Sequence, residues 1–293
     1  YKVVHISQEF CNTLALTTPL IAPQVSCRLR FIKMASRFVT VCLAAVAAAS
    51  PVFVPRTTNG TKFDPERGLF PGEVLLVGHE HMEVVDKDSY SAMLSTSGIL
   101  SSPPDIDRSL LDFEEPTEEE LKQLDARQAS CDMTTAVVIT RTDRFYDWDL
   151  QMSPVSIAGG NPIDISLTST YTVTDTLTIT GGFSPTIVTG YLTSNFGVSG
   201  SRSWATAQAI MVRGTVSAHH TGVMVNNPFK TRRYGRVMRG CLGKQTQIGT
   251  FMSDAYEEGS YGGVKWIRGA ITPCEKPGVH RPLSRCQGGG NFV

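Results

Sequence analysis

Threonine occupies every even position from Thr168 to Thr180, and the odd positions between read Ser169, Tyr171, Val173, Asp175, Leu177 and Ile179. A period of two marks an extended chain whose side chains leave opposite faces in turn. The stretch therefore predicts one long two-faced strand. Gly181-Gly182 ends it, Pro185 punctuates the next segment, and Leu192 to Ala209 is again Ser/Thr-rich and extended. Shorter β-prone runs occur at Glu73–Val77, Ala136–Thr140, Phe145–Gln151, Gln208–Ser217 and Gly222–Asn226, with Asn227-Pro228 read as a turn. From Gly240 to Ile271 glycines recur between short β-prone pieces, which suggests a small twisted sheet. Helical signal is confined to one place. Thr117 and Glu120 form a capping box, and the helix should run through Leu121 and Leu124 toward Arg127. Ser95 to Pro104 reads as a loop, and prolines cut the rest of residues 51–116 into short pieces. The expected fold is mainly β: elongated antiparallel sheets with long Ser/Thr-rich strands, preceded by an irregular pro-region with one short helix.

Charge and cysteine placement divide this pattern further. Met34 to Arg37 is a short positive start, Phe38 to Ala49 is uncharged and apolar, and small residues close the run at Ser50. That order is a signal peptide, and twelve residues fall short of the ~20 a membrane span needs. The reading is an untranslated upstream extension at 1–33, a signal peptide at 34–49, an acidic pro-region at 50–127 and a β-rich disulfide domain at 128–293. Residues 51–130 carry sixteen acidic and seven basic side chains, whereas residues 131–293 carry ten and fifteen. The zero net charge hides an acidic and a basic half. Asn59-Gly60-Thr61 is a glycosylation sequon, with a plain Asn-Gly turn as its alternative. Beyond the signal only Cys131, Cys241, Cys274 and Cys286 remain, an even number that suits an exported disulfide protein. Three pairings are open, and Cys131 with Cys241 plus Cys274 with Cys286 is preferred. Zinc lacks any CxxC pair.

Candidate chemistry is sparse. Gly197-Val198-Ser199-Gly200-Ser201 lacks the final glycine of a nucleophile elbow, and no phosphate-binding glycine loop is present. Adjacent His219 and His220 would point to opposite faces of a strand and cannot readily share one metal. Asp147 and Asp149 share a face if Phe145–Gln151 is extended, which suits a cation site or a carboxylate pair; solvated edge charge is the favoured reading. Lys230, Arg232, Arg233, Arg236 and Arg239 cluster around Phe229 and Tyr234, a patch that suits phosphates, anionic lipid or an acidic glycan. A solvated loop and neutralisation by the acidic pro-region stay open. No cofactor, no catalytic constellation and no nucleic-acid partner is expected.

Several stretches together carry a resemblance: Phe145-Tyr146-Asp147-Trp148-Asp149, Asn195-Phe196-Gly197-Val198, Thr231-Arg232-Arg233-Tyr234-Gly235-Arg236, Gly240-Cys241-Leu242-Gly243, Gly259 to Trp266 and Pro282 to Cys286. Residues 131–293 resemble fungal secreted proteins of the Celp effector-like family. The resemblance implies a secreted, extracellular effector-like protein and no established enzyme activity. One departure is that Ala126-Arg127 precedes Gln128 where such proteins often carry a dibasic cleavage site. A second similarity is to the membrane-inserting module of aerolysin-type pore-forming toxins. In that scheme 166–180 and 194–207 are long strands, and Gly181 to Thr193 is a tucked hairpin presenting Phe183, Ile187, Val188, Tyr191 and Leu192 to lipid. The expected function is membrane association or pore formation, with a homo-oligomer as partner. The alternative is a non-catalytic extracellular binding module for a host or cell-wall ligand, with an aromatic surface around Trp148, Trp204 or Trp266.

Overall fold

The computed structural model describes residues 60–78, 81–127, 131–167, 171–198, 201–204, 211–261 and 264–293. The proposed signal peptide, the upstream extension and Asn59 lie outside the described residues. Mainly β architecture with antiparallel sheets holds, though the long strands are not where the threonine pattern places them.

The first half supplies a hairpin and two helices. β1 (Thr61–Lys62) and β2 (Glu73–Val77) flank β3 (Met82–Asp86), both pairing with it antiparallel. β2 has the bounds its sequence predicts, because Val74, Leu75, Leu76 and Val77 are buried on both faces. α1 (Lys87–Ser97) takes up the start of the expected loop. Its signals are an Asp86 N-cap that accepts the Ser89 N–H at 2.8 Å and a left-handed Gly98 at its end. α2 (Glu118–Arg127) starts at the predicted capping box: Thr117 N–H donates to Glu120 at 2.9 Å, and Glu120 N–H donates to Thr117 Oγ1 at 3.3 Å.

Downstream come β4 (Thr134–Tyr146), the two-residue β5 (Leu150–Gln151) and β6 (Ser156–Ile157), then β7 (Ile163–Ser166), β8 (Tyr171–Thr174) and β9 (Thr176–Thr180). The predicted strand Phe145–Gln151 is interrupted at residues 147–149. The single long strand over 168–180 is also corrected: 168–170 lie outside the described residues, and the rest is two strands with different partners. β8 pairs with β10 (Ser201–Trp204), and β9 pairs with β13 (Lys244–Tyr256). Asp175 makes the break, since its buried carboxylate accepts the Tyr256 N–H at 2.9 Å. A side chain bound to a neighbouring backbone competes with continued pairing.

Between them the expected hairpin is α3 (Pro185–Phe196). Pro185 opens it after Ser184, and left-handed Gly197 closes it. Val188 and Leu192, one helical turn apart, are buried against Val237 and Phe251. The lipid-facing hairpin is therefore replaced by a helix docked on the sheet.

The spine is β12 (His220–Cys241), 22 residues long. Its Asn227-Pro228 pair, expected to turn, lies inside the strand. Up to Pro228 it pairs with β16 (Gly269–Pro277), and beyond that with β4 and β13. Pro228 has no N–H to donate and sits where the partners change. The main sheet runs β1-β3-β2-β16-β12-β13-β9, with β4, β5 and β6 also on β12. Smaller pairs are β7 with β11 (Arg213–Val216), β14 (Glu258–Tyr261) with β15 (Val264–Ile267), and β17 (Leu283–Ser284) with β18 (Asn291–Phe292).

Residues of the acidic pro-region are part of the core. Phe63, Leu69, Leu75, Val77, Met82 and Val84 share one cluster with Met224, Trp266 and Ile271. Val74, Leu76, Val85, Met93, Leu94 and Ile99 share another with Tyr146, Phe229 and Ala270. Both preferred disulfides are present: Cys131 to Cys241 ties β4 to the far end of β12, and Cys274 to Cys286 ties β16 to the C-terminal loop.

A candidate anion cleft lined by arginines

The predicted basic patch is divided by strand geometry. Lys230 and Arg232 share one face of β12 and are both neutralised. Lys230 pairs with Asp147 at 2.9 Å, and Arg232 meets Asp254 through two bonds of 2.7 and 2.9 Å. Burial pushes the Lys230 ammonium down, but the Asp147 hydrogen bond and charge outweigh it and its pKa ends raised. Arg236 and Arg239 are exposed farther along the strand, and Arg233 faces the opposite side. These five cations therefore form no single patch.

The remaining predicted residues find structural places. Phe183 fills the space over Gly249, where a Cβ would lie 2.3 Å from its ring. Ile187 and Tyr191 are half-buried on α3 beside Val188 and Leu192. Asp147 and Asp149 do not act together: Asp149 is buried and accepts the Gln287 N–H at 2.6 Å and the Asn227 amide at 2.8 Å. Asp149 also lies near Cys274 and Cys286, but those sulfurs are bonded to each other, so this group holds no metal. Trp266 is core, and the side chain of Trp204 is outside the described part of the structure. Trp148 is 43% exposed, with its ring against Gly288. Among the described residues no helix is long and apolar enough to cross a membrane.

The unassigned face of β12 carries the site. Strand register places Arg144 of β4 opposite Thr231, and Ser253 of β13 opposite Arg233. Side chains at directly opposed positions share a face, so Arg144, Thr231, Arg233 and Ser253 lie together. Arg268, between β15 and β16, reaches the same place by a backbone exchange: its N–H donates to Glu257 O, and Phe229 N–H donates to its carbonyl, both at 2.8 Å. The Phe229 ring has the Arg144 guanidinium 5.8 Å from its centroid and that of Arg268 at 5.7 Å. Arg233 lies 4.1 Å over the Phe196 ring at the end of α3. Such cation–π contacts hold guanidiniums in place without neutralising them.

Among the described residues, one carboxylate bonds to this group. Glu257 accepts from Arg268 at 2.6 Å and from the Thr231 hydroxyl at 3.0 Å. Arg144 and Arg233 have no ion pair among the described residues. Burial, the largest cause, holds the Arg233 guanidinium below its ordinary pKa; Glu257 opposes this and the neighbouring Arg144 charge adds to it. Two donors are also left over: Arg268 Nε and the Ser253 hydroxyl are buried without a partner. The cleft is rich in donors and short of acceptors.

Its wall is aromatic. Tyr90, Tyr146 and Phe229 form an edge-to-face ladder with centroids 5.6 and 5.5 Å apart. Burial pushes the Tyr146 hydroxyl up to about 12, so it stays a neutral donor. Behind Arg268 is a cavity of about 10 Å³ lined by Leu76, His81, Glu83, Ile99, Tyr146 and Phe229, enough for one water. A larger ligand would therefore sit on the arginines. Sequence reasoning missed Arg144, Arg268 and Glu257, because their proximity depends on strand register across three separate segments. No family model matches the chain, and neither does any curated protein or solved structure.

Proposed function

We propose that this is a secreted, non-catalytic binding protein whose ligand presents a phosphate or sulfate group to Arg144, Arg233 and Arg268. The observation that carries the reading is the charge balance on one face of β12: among the described residues Glu257 is the one carboxylate bonded to Arg144, Arg233 or Arg268, and two buried donors are unused. An anion there would supply the missing acceptors and relieve the Arg144–Arg233 repulsion. Export is supported by the signal-like Met34 to Ser50 stretch, by two disulfides suited to an oxidising compartment, and by the resemblance to fungal Celp effector-like proteins. The ligand class fits the binding-module reading, and its source is either an anionic lipid headgroup or a soluble phosphate or sulfate ester. The membrane-inserting reading has lost its hairpin to α3 and rests on lipid binding alone.

Calorimetry with inorganic pyrophosphate and co-sedimentation with phosphatidic acid vesicles distinguish the sources. Binding that weakens with salt is expected. Arg144→Gln with Arg233→Gln should reduce affinity at least about tenfold, since each charge-assisted bond contributes roughly 1.5–3 kcal/mol. Equal affinity of variant and parent, or no binding of either probe, would sink the proposal. Sedimentation with vesicles but no response to pyrophosphate identifies the headgroup, and the same samples show whether oligomers form on lipid.

A further inference from the structure

We infer that α2 is a processing site, and that cutting it yields a two-chain protein whose N-terminal piece stays in the sheet. No described side chain in residues 101–127 is buried. The first part of this segment is held by half-buried Leu110, Leu111 and Phe113, the Phe113 ring lying against Gly181, and by polar contacts. Arg232 donates to Pro104 O at 2.8 Å, Asp107 N–H donates to Tyr234 Oη at 3.0 Å, Arg141 pairs with Asp107 at 3.0 Å, and Thr250 donates to Leu111 O at 2.8 Å. Among the described residues, the Thr250 bond is the last hydrogen bond from this segment to the sheet. α2 comes next with ten residues, three successive glutamates and Lys122. α2 touches β12, but a helix this short adds little stability of its own in water, so it opens readily to a protease.

Residues 60–100 behave in the opposite way. β2 pairs with β16 at Val77–Gly269, Leu76–Ala270 and Leu75–Ile271, and Thr272 donates to Glu73 O at 2.9 Å. Leu69 exchanges backbone bonds with Arg213 and Thr215, and Leu100 with Arg144 and Tyr146. Tyr90 and Ile99 also back the aromatic wall of the cleft. No cysteine lies between Cys42 and Cys131, so no disulfide links the two sides of the cut. Over residues 60–100, the segment that charge and prolines mark as a pro-region is part of the sheet.

Cleavage after Lys122 or Arg127 is hydrolysis by an endopeptidase specific for basic residues. The peptide C–N bond breaks, and water supplies hydroxyl to the new carboxyl group and a proton to the new amine. The full chain treated with trace trypsin should receive its first cut between residues 60 and 293 inside 118–127, located by intact mass. Both pieces should co-elute on native gel filtration and separate in denaturant without reductant. Lys122→Gln with Arg127→Gln should slow that cut at least tenfold. A first cut within 60–111 or 131–293, loss of the N-terminal piece on the native column, or an unslowed cut in the variant would each overturn the inference.

Discussion

A guanidinium inside a sheet needs an acceptor of matching shape, and Arg232 finds one across the strand pair. Two parallel bonds to Asp254 and a third to Pro104 O satisfy it, with the Phe145 ring 5.3 Å away. Both charged side chains are over nine-tenths buried. Arg232→Met would leave Asp254 buried and unpaired, at a cost of about 3–5 kcal/mol. Urea denaturation should show that loss, and Asp254→Leu added to the same chain should restore more than half of it. Little of this pairing is legible in the sequence. The run Lys230 to Arg239 reads as one patch only if it is a loop; as a strand, alternation alone separates Arg232 from Arg233. The cysteines are legible because four residues allow only three pairings. The cleft is not, since Arg144, Glu257 and Arg268 become neighbours through register, which no local signal carries.

At the scale of elements, α3 shows where propensity misleads. Thr186, Ile187, Val188, Thr189 and Thr193 are β-branched and Gly190 is a poor helix former, so composition favours an extended chain. Packing overrides it. The apolar residues fall at 187, 188, 191 and 192, a helical spacing flanked by Pro185 and Gly197. Val188→Asp should then destabilise the fold by more than about 3 kcal/mol, because it buries an unpaired carboxylate against Phe251. Thermal unfolding measures this without any membrane present. An unchanged melting temperature would mean that the helix is not docked in solution. α1 is missed by the sequence reading despite its Asp86 cap and Gly98 stop, whereas β2 and α2 match their sequence expectation because their strongest signals are local.

At the scale of the molecule, the acidic half and the basic half form one sheet. Expressing 131–293 alone would remove β2 from β16 and strip twelve apolar side chains from two core clusters. We expect that fragment to lack a cooperative urea transition and a near-ultraviolet circular dichroism signal, and to recover both when 60–111 is supplied in trans. A fragment that unfolds cooperatively by itself would argue for an autonomous C-terminal domain. The expectation of elongated antiparallel sheets is sound in class. It places the length in the threonine repeat, whereas β12 owes its length to serving two sets of neighbours in succession.

That arrangement also governs how the chain is assembled as it is synthesised. β2 is made early, yet its sheet partner β16 comes after almost the whole described chain; the Thr272 to Glu73 bond alone closes a separation of 199 residues. Contacts this distant in sequence place the fold among the slow, topology-limited ones. Until synthesis has passed β16, the apolar β2–β3 hairpin has nowhere to dock. The nascent chain therefore carries an unpaired hydrophobic edge for most of its production, and its yield depends on how well that edge is shielded from other chains.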